Sequence, residues 1–121
     1  MLKIDNKNIY LTRGDIATIE VNVTNDDGTD YEFKSGDTLV FSIKKDYTDT
    51  TALLRKTINT EVGSTVATIS LTTEDTTIGD LIKKPVKYVY DIALNGNMTV
   101  IGYDEEGSKY FYLYPEASND E

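Results

Sequence analysis

The chain has 121 residues, with 12 lysines and arginines against 21 aspartates and glutamates, and neither cysteine nor histidine. That length suits one domain burying roughly two-thirds of its unfolded surface, and the missing residue types exclude a disulfide framework, a thiolate metal site and an imidazole base. The formal net charge of −9 repels phosphate backbones and anionic lipid, so neither nucleic acid nor an acidic membrane is an expected partner.

Between Met1 and Asn8, Asp5 and Asn6 fall where a secretory signal needs an unbroken apolar run, and nothing later has the length of an apolar transmembrane helix. Synthesis in the cytoplasm is therefore expected. From Ile9 onward apolar residues recur with period two, the pattern of half-buried strands. A short first strand leads through Arg13, Gly14 and Asp15 to a second, in which Ala17, Ile19, Val21 and Val23 alternate with Thr18, Glu20, Asn22 and Thr24. Asn25 to Gly28 is a turn of residues that tolerate positive φ. Tyr31 and Phe33 then lead to a turn at Ser35, Gly36 and Asp37, and to a half-buried strand with Leu39, Phe41 and Ile43 on one face and Val40, Ser42 and Lys44 on the other.

Asp46 to Thr51 reads as a loop and Ala52 to Ile58 as a strand. After a turn at Val62 to Ser64, Ala67, Ile69 and Leu71 alternate with Thr68 and Ser70. Thr72 or Thr73 can cap a single helical turn with acids in its first turn, which Gly79 can close. Such a turn commonly crosses from one sheet to another. Pro85 precedes the strongest alternation, Val86, Tyr88, Tyr90, Ile92 and Leu94. Asn95 and Gly96 form a hairpin signal, Met98 to Ile101 returns, Asp104 to Gly107 turns, and Lys109 to Tyr114 is the last strand before Pro115. These elements predict an all-β, immunoglobulin-like antiparallel β-sandwich of about seven to nine strands with one short helical turn, a jelly roll or small barrel being the other all-β solutions. Residues 1–115 form the single domain, and 116–121 an acidic disordered tail. Tyr88 stands where such sandwiches keep a tyrosine tied to the preceding corner.

Arg13-Gly14-Asp15 spells a tripeptide that integrins read, but three residues match by chance and the segment suits a tight turn. Asn22 and Asn97 begin glycosylation acceptor patterns that carry little weight without a signal peptide. Acids crowd three loops, at Asp26, Asp27 and Asp30, at Asp46 and Asp49, and at Asp104, Glu105 and Glu106. None has the EF-hand spacing, so solvated turns without a metal are expected. Paired carboxylates could cleave a glycoside, but no pocket raising one pKa is visible, so neither catalytic residues nor cofactors are assigned. In the last strand Tyr110, Tyr112 and Tyr114 share one face, and Phe111 and Leu113 the other. Facing out, the tyrosines form an aromatic stripe suited to a protein interface or to stacking on sugars; facing in, they are core with hydroxyls at the rim. They are the candidate interface residues.

Taken in order, Ile9 to Asp15, Ser35 to Lys44, Leu71 to Asp75, Tyr88 to Ile92 and Tyr110 to Pro115 resemble a domain found in tail and baseplate proteins of phages and prophages of Gram-positive bacteria. The N-terminal domain of upper baseplate proteins is one example. The resemblance runs from about residue 8 to 115 and rests on the order of short strand-and-turn motifs. It implies a non-catalytic module of the virion that docks to other phage structural proteins, or to further copies of itself, in a multi-copy assembly. Upper baseplate proteins continue into a stalk and further domains that this sequence does not include, so attachment to a receptor is not carried over. The other class considered is a carbohydrate-binding or adhesin module of a bacterial surface protein that uses the face of Tyr110, Tyr112 and Tyr114.

Overall fold

A computed structural model describes residues 2–5, 7–25, 27–79, 84–105 and 107–116, without the side chains of the first four. Nine strands run through them: β1 (Leu2–Asp5), β2 (Asn8–Thr12), β3 (Ala17–Asn22), β4 (Thr38–Lys44), β5 (Leu54–Asn59), β6 (Val66–Leu71), β7 (Val86–Leu94), β8 (Met98–Ile101) and β9 (Tyr110–Tyr114). One helical turn, α1 (Thr73–Thr76), lies between β6 and β7.

The strands form two sheets, as the alternation predicts, but of very unequal size. The larger runs β1-β2-β9-β7-β4-β5, with β8 beside the C-terminal half of β7, and the smaller holds only β3 and β6. One pair departs from the expected antiparallel sandwich. β2 and β9 run parallel, with Ile9 opposite Phe111 and Leu11 opposite Leu113, so an early strand and the last lie side by side. Parallel neighbours need a long crossover, and here nearly the whole chain supplies it.

Period-two alternation aims one face of each strand into the space between the sheets. Ile9, Leu11, Leu39, Phe41, Ile43, Ile92, Phe111 and Leu113 from the larger sheet meet Ile19, Val21, Ile69 and Leu71 from the smaller, all of them buried. Two sheets of unequal width leave an open side, which Lys56 closes. Lys56 is paired with Phe41 across β5 and β4, and its Nζ donates to Ser70 O at 2.6 Å on the smaller sheet and to Asp75 Oδ2 at 2.5 Å. Asp75 in turn completes a capping box at α1: Asp75 N–H donates to the Thr72 hydroxyl, and Thr72 N–H to the Asp75 carboxylate. Partial burial pushes the Asp75 carboxyl up, but Lys56 and the Thr72 N–H outweigh it and hold the group below its ordinary range. The helical turn ends at Thr77, two residues before the predicted Gly79.

The corner at Tyr88 is built as the sequence suggests. Gly79 has φ of 72°, and a Cβ placed on it would lie 2.6 Å from the Tyr88 hydroxyl, so only glycine lets the ring's tip reach this backbone. Asn95 and Gly96, both at positive φ, make the predicted hairpin between β7 and β8. Beyond it β8 departs from plain pairing. A bulge sets Thr99 to Ile101 against Ala93 and Ile92. Residues 102–105 and 107–109 lie outside the strands between β8 and β9, held by Lys109, whose buried Nζ donates to Asp104 Oδ1 at 2.8 Å and Gly107 O at 3.1 Å. Of the predicted disordered tail, residues 116–121, only Glu116 is among the described residues. Glu116 is half-buried and accepts from Arg13 Nη1 at 3.4 Å, while 117–121 lie outside the described residues.

Candidate functional site

Strand β9 decides how the tyrosines face. Phe111 and Leu113 have no exposed surface, which sends Tyr110, Tyr112 and Tyr114 to the outer face of the larger sheet, where each is half-buried. Parallel pairing with β2 adds a fourth ring that no local pattern predicts: Tyr10 lies opposite Tyr112 in register. The two rings stack with centroids 4.7 Å apart and planes within 2°. Tyr114 approaches Tyr10 at 6.5 Å, and Tyr110 approaches Tyr112 at 5.9 Å. On the other flank Lys87 of β7 places its ammonium 4.6 Å from the Tyr110 ring centre, a cation–π contact.

The patch is thus a ladder of four rings across β2 and β9, with Lys87 at its β7 border. Partial desolvation raises the Tyr112 hydroxyl above its ordinary pKa, and the neighbouring tyrosines add to this. Because Tyr10 and Tyr112 cover one face of each other, the surface offers ring edges and hydroxyls more than flat ring faces. Edges and hydroxyls suit a partner's mixed apolar and polar surface.

The other motifs resolve into structure. Arg13 of the integrin-like tripeptide is only 7% exposed. Its Nε donates to Ile78 O at 3.4 Å and its Nη2 to Gly79 O at 3.1 Å, so it ties the crossing between the sheets to the corner beneath Tyr88. Asn22 of the first acceptor pattern donates its side-chain amide to Thr65 O at 2.8 Å. Asn97 of the second is exposed just past the hairpin turn. Among the loop acids, Asp27 holds the Thr29 hydroxyl at 2.6 Å, and this bond with the Thr29 N–H lowers its pKa. Asp46 and Asp49 cap their own turn, and Asp104 pairs with Lys109. Asp26 and Glu106 lie outside the described residues. Among the described residues, no three acids converge as metal ligands do.

Asp37, at the turn after Phe33, is held below the ordinary carboxylate range by the Lys34 N–H, the Tyr31 hydroxyl and the Asn95 amide. It acts as a structural clip between the start of β4 and the β7–β8 hairpin. Compared with protein-family models, curated proteins and solved structures, the chain matches none.

Proposed function

We propose that this β-sandwich is a non-catalytic structural component of a phage or prophage tail or baseplate, docking to neighbouring subunits of a multi-copy assembly. The observation that carries the reading is the outer-face ladder of Tyr10, Tyr110, Tyr112 and Tyr114. Tyrosine combines large contact area with a hydroxyl that remains satisfied when a partner is absent, which is why it is enriched where proteins meet. The occupants are other virion proteins or a second copy, and a net charge of −9 disfavours nucleic acid and anionic membrane. The family resemblance over residues 8–115 supports the same assignment. The adhesin alternative draws less support, because a sugar stacks on a free ring face and the Tyr10–Tyr112 contact occupies one face of each ring.

The test is immuno-electron microscopy of phage particles from induced cells, using antibodies raised against this chain. Labelled tails or baseplates are the expected result, and purified particles that lack the chain refute the proposal. Light scattering of the purified chain shows whether copies of itself are among the partners.

A further inference from the structure

On the same outer surface, away from the tyrosines, the strand registers build a trough. Ser42 at the centre of β4 lies opposite Arg55 on β5 and opposite Asp91 on β7, so the three side chains form one row across neighbouring strands. The next row is Thr57, Val40, Ala93 and Thr99. Both central strands carry short side chains, whereas Arg55 on one flank and the β7–β8 hairpin on the other stand higher. The space between is about 220 Å³ and is also bordered by Lys44 and Asn97. Gly102 packs closely behind Asp91 and Thr99, for a Cβ there would lie 2.7 Å from the Thr99 methyl and 3.2 Å from the Asp91 Cβ.

Asp27, Asp37, Asp46, Asp49, Asp75 and Asp104 all have hydrogen-bonding partners in their own loops or in adjacent strands. Among the described residues, the side chains of Ser42, Arg55, Asp91, Asn97 and Thr99 make no hydrogen bond or ion pair, while Lys44 Nζ donates to Asp49 O at 2.9 Å. Burial raises the Asp91 carboxyl above its ordinary range despite the opposing charges of Lys44 and Arg55.

We propose that this trough binds one acidic sugar unit, a pyranose bearing a carboxylate, with Asp91 accepting from neighbouring ring hydroxyls and Arg55 and Lys44 pairing with the sugar's carboxylate. Each feature of the ligand answers a feature of the trough. A lone carboxylate in the floor repels phosphate or sulfate placed at the centre and calls for hydroxyl donors. Two cations against one anion leave a positive excess that calls for an acid. Val40 and Ala93 supply an apolar strip for the C–H face of a ring. The floor strand β4 is paired on both sides, by β5 and β7, so its backbone offers no edge to an added peptide strand. The site is separate from the tyrosine ladder, and its test leaves the docking proposal untouched.

Titration of the isotopically labelled chain with methyl β-glucuronide and methyl β-glucoside, followed by amide NMR, tests the assignment. Millimolar glucuronide is expected to shift the amides of Ser42, Asp91 and Thr99, with the neutral glucoside weaker by about tenfold or more. Asp91→Asn should weaken both glycosides, Arg55→Gln should erase the preference for the acid while the exposed site keeps the fold, and Tyr112→Ser should change neither. Absence of shifts with either glycoside overturns the proposal, as do shifts confined to another surface. Equal binding of the two glycosides overturns the acidic assignment.

Discussion

The two faces of the larger sheet are made from alternate residues of the same strands, yet they follow different rules. Phe111 and Tyr112 are neighbours in β9: the first is sealed between the sheets, and the second stacks on Tyr10 in contact with solvent. On the inner face, every large side chain is fixed by what packs over it. No second sheet packs over the outer face among the described residues, and two regions diverge: a tyrosine ladder over β2 and β9, and a trough of short and charged residues over β5, β4 and β7. The inner face therefore reports on fold, and the outer face on what the protein meets.

That contrast can be broken by substitution. Phe111→Ala removes a fully buried ring at the centre of the core and should cost about 3–5 kcal/mol in urea unfolding. A loss under about 1 kcal/mol would deny the inner face its controlling role. Arg13→Ala should cost about 1–3 kcal/mol, because it strands the Ile78 and Gly79 carbonyls. Glu116→Ala should cost less than about 1 kcal/mol, since that pair is long and partly exposed. Equal effects would shift the weight of Arg13 from the corner to its ion pair.

Tyr112→Ser should cost only about 1 kcal/mol, the worth of one aromatic contact, while abolishing association with the docking partner. A loss of several kcal/mol would make the ladder core instead of surface. The smallest effect concerns Asp91. Its folded pKa is raised above the ordinary 3.8 by burial, so its favourable contribution is complete below that value and is lost as pH rises through the folded pKa. Asp91→Asn should therefore match the parent in strong acid and equal or slightly exceed it at neutral pH. Unfolding curves at acid and neutral pH check the sign, and a variant less stable at neutrality would contradict it.

Much of the inner face was legible because alternation is a local signal. Val86 to Leu94 reads as a strand directly, and so do Ala17, Ile19 and Val21. β1 was missed because Asp5 and Asn6 interrupt any pattern there, and its pairing with β2 is a tertiary fact. The sequence also marks Val40 and Ser42 as solvent-facing, yet both are buried. β4 lies between two strands, and the longer side chains on its flanks shield the short ones. Arg13 was hidden for the opposite reason, since charge argues for exposure until two carbonyls are found to hold it inside. Tyr10 joins the ladder only through the parallel register with β9, which no spacing in the chain encodes. The trough has the same origin: Arg55, Ser42 and Asp91 are far apart in sequence and become one row only when three strands are laid side by side.

The parallel clasp of β2 to β9 also governs the order in which the protein can be finished. During synthesis the Asn8–Thr12 segment emerges early and must wait for Tyr110–Tyr114, the strand that fills the gap between β2 and β7. The closing contact spans almost the entire sequence, so its loop-closure entropy comes due late, and topologies of this kind fold slowly. Until then two strand edges that will face each other are bare. A ribosome stalled before Tyr110 would hold a half-zipped sheet prone to pairing with its neighbours.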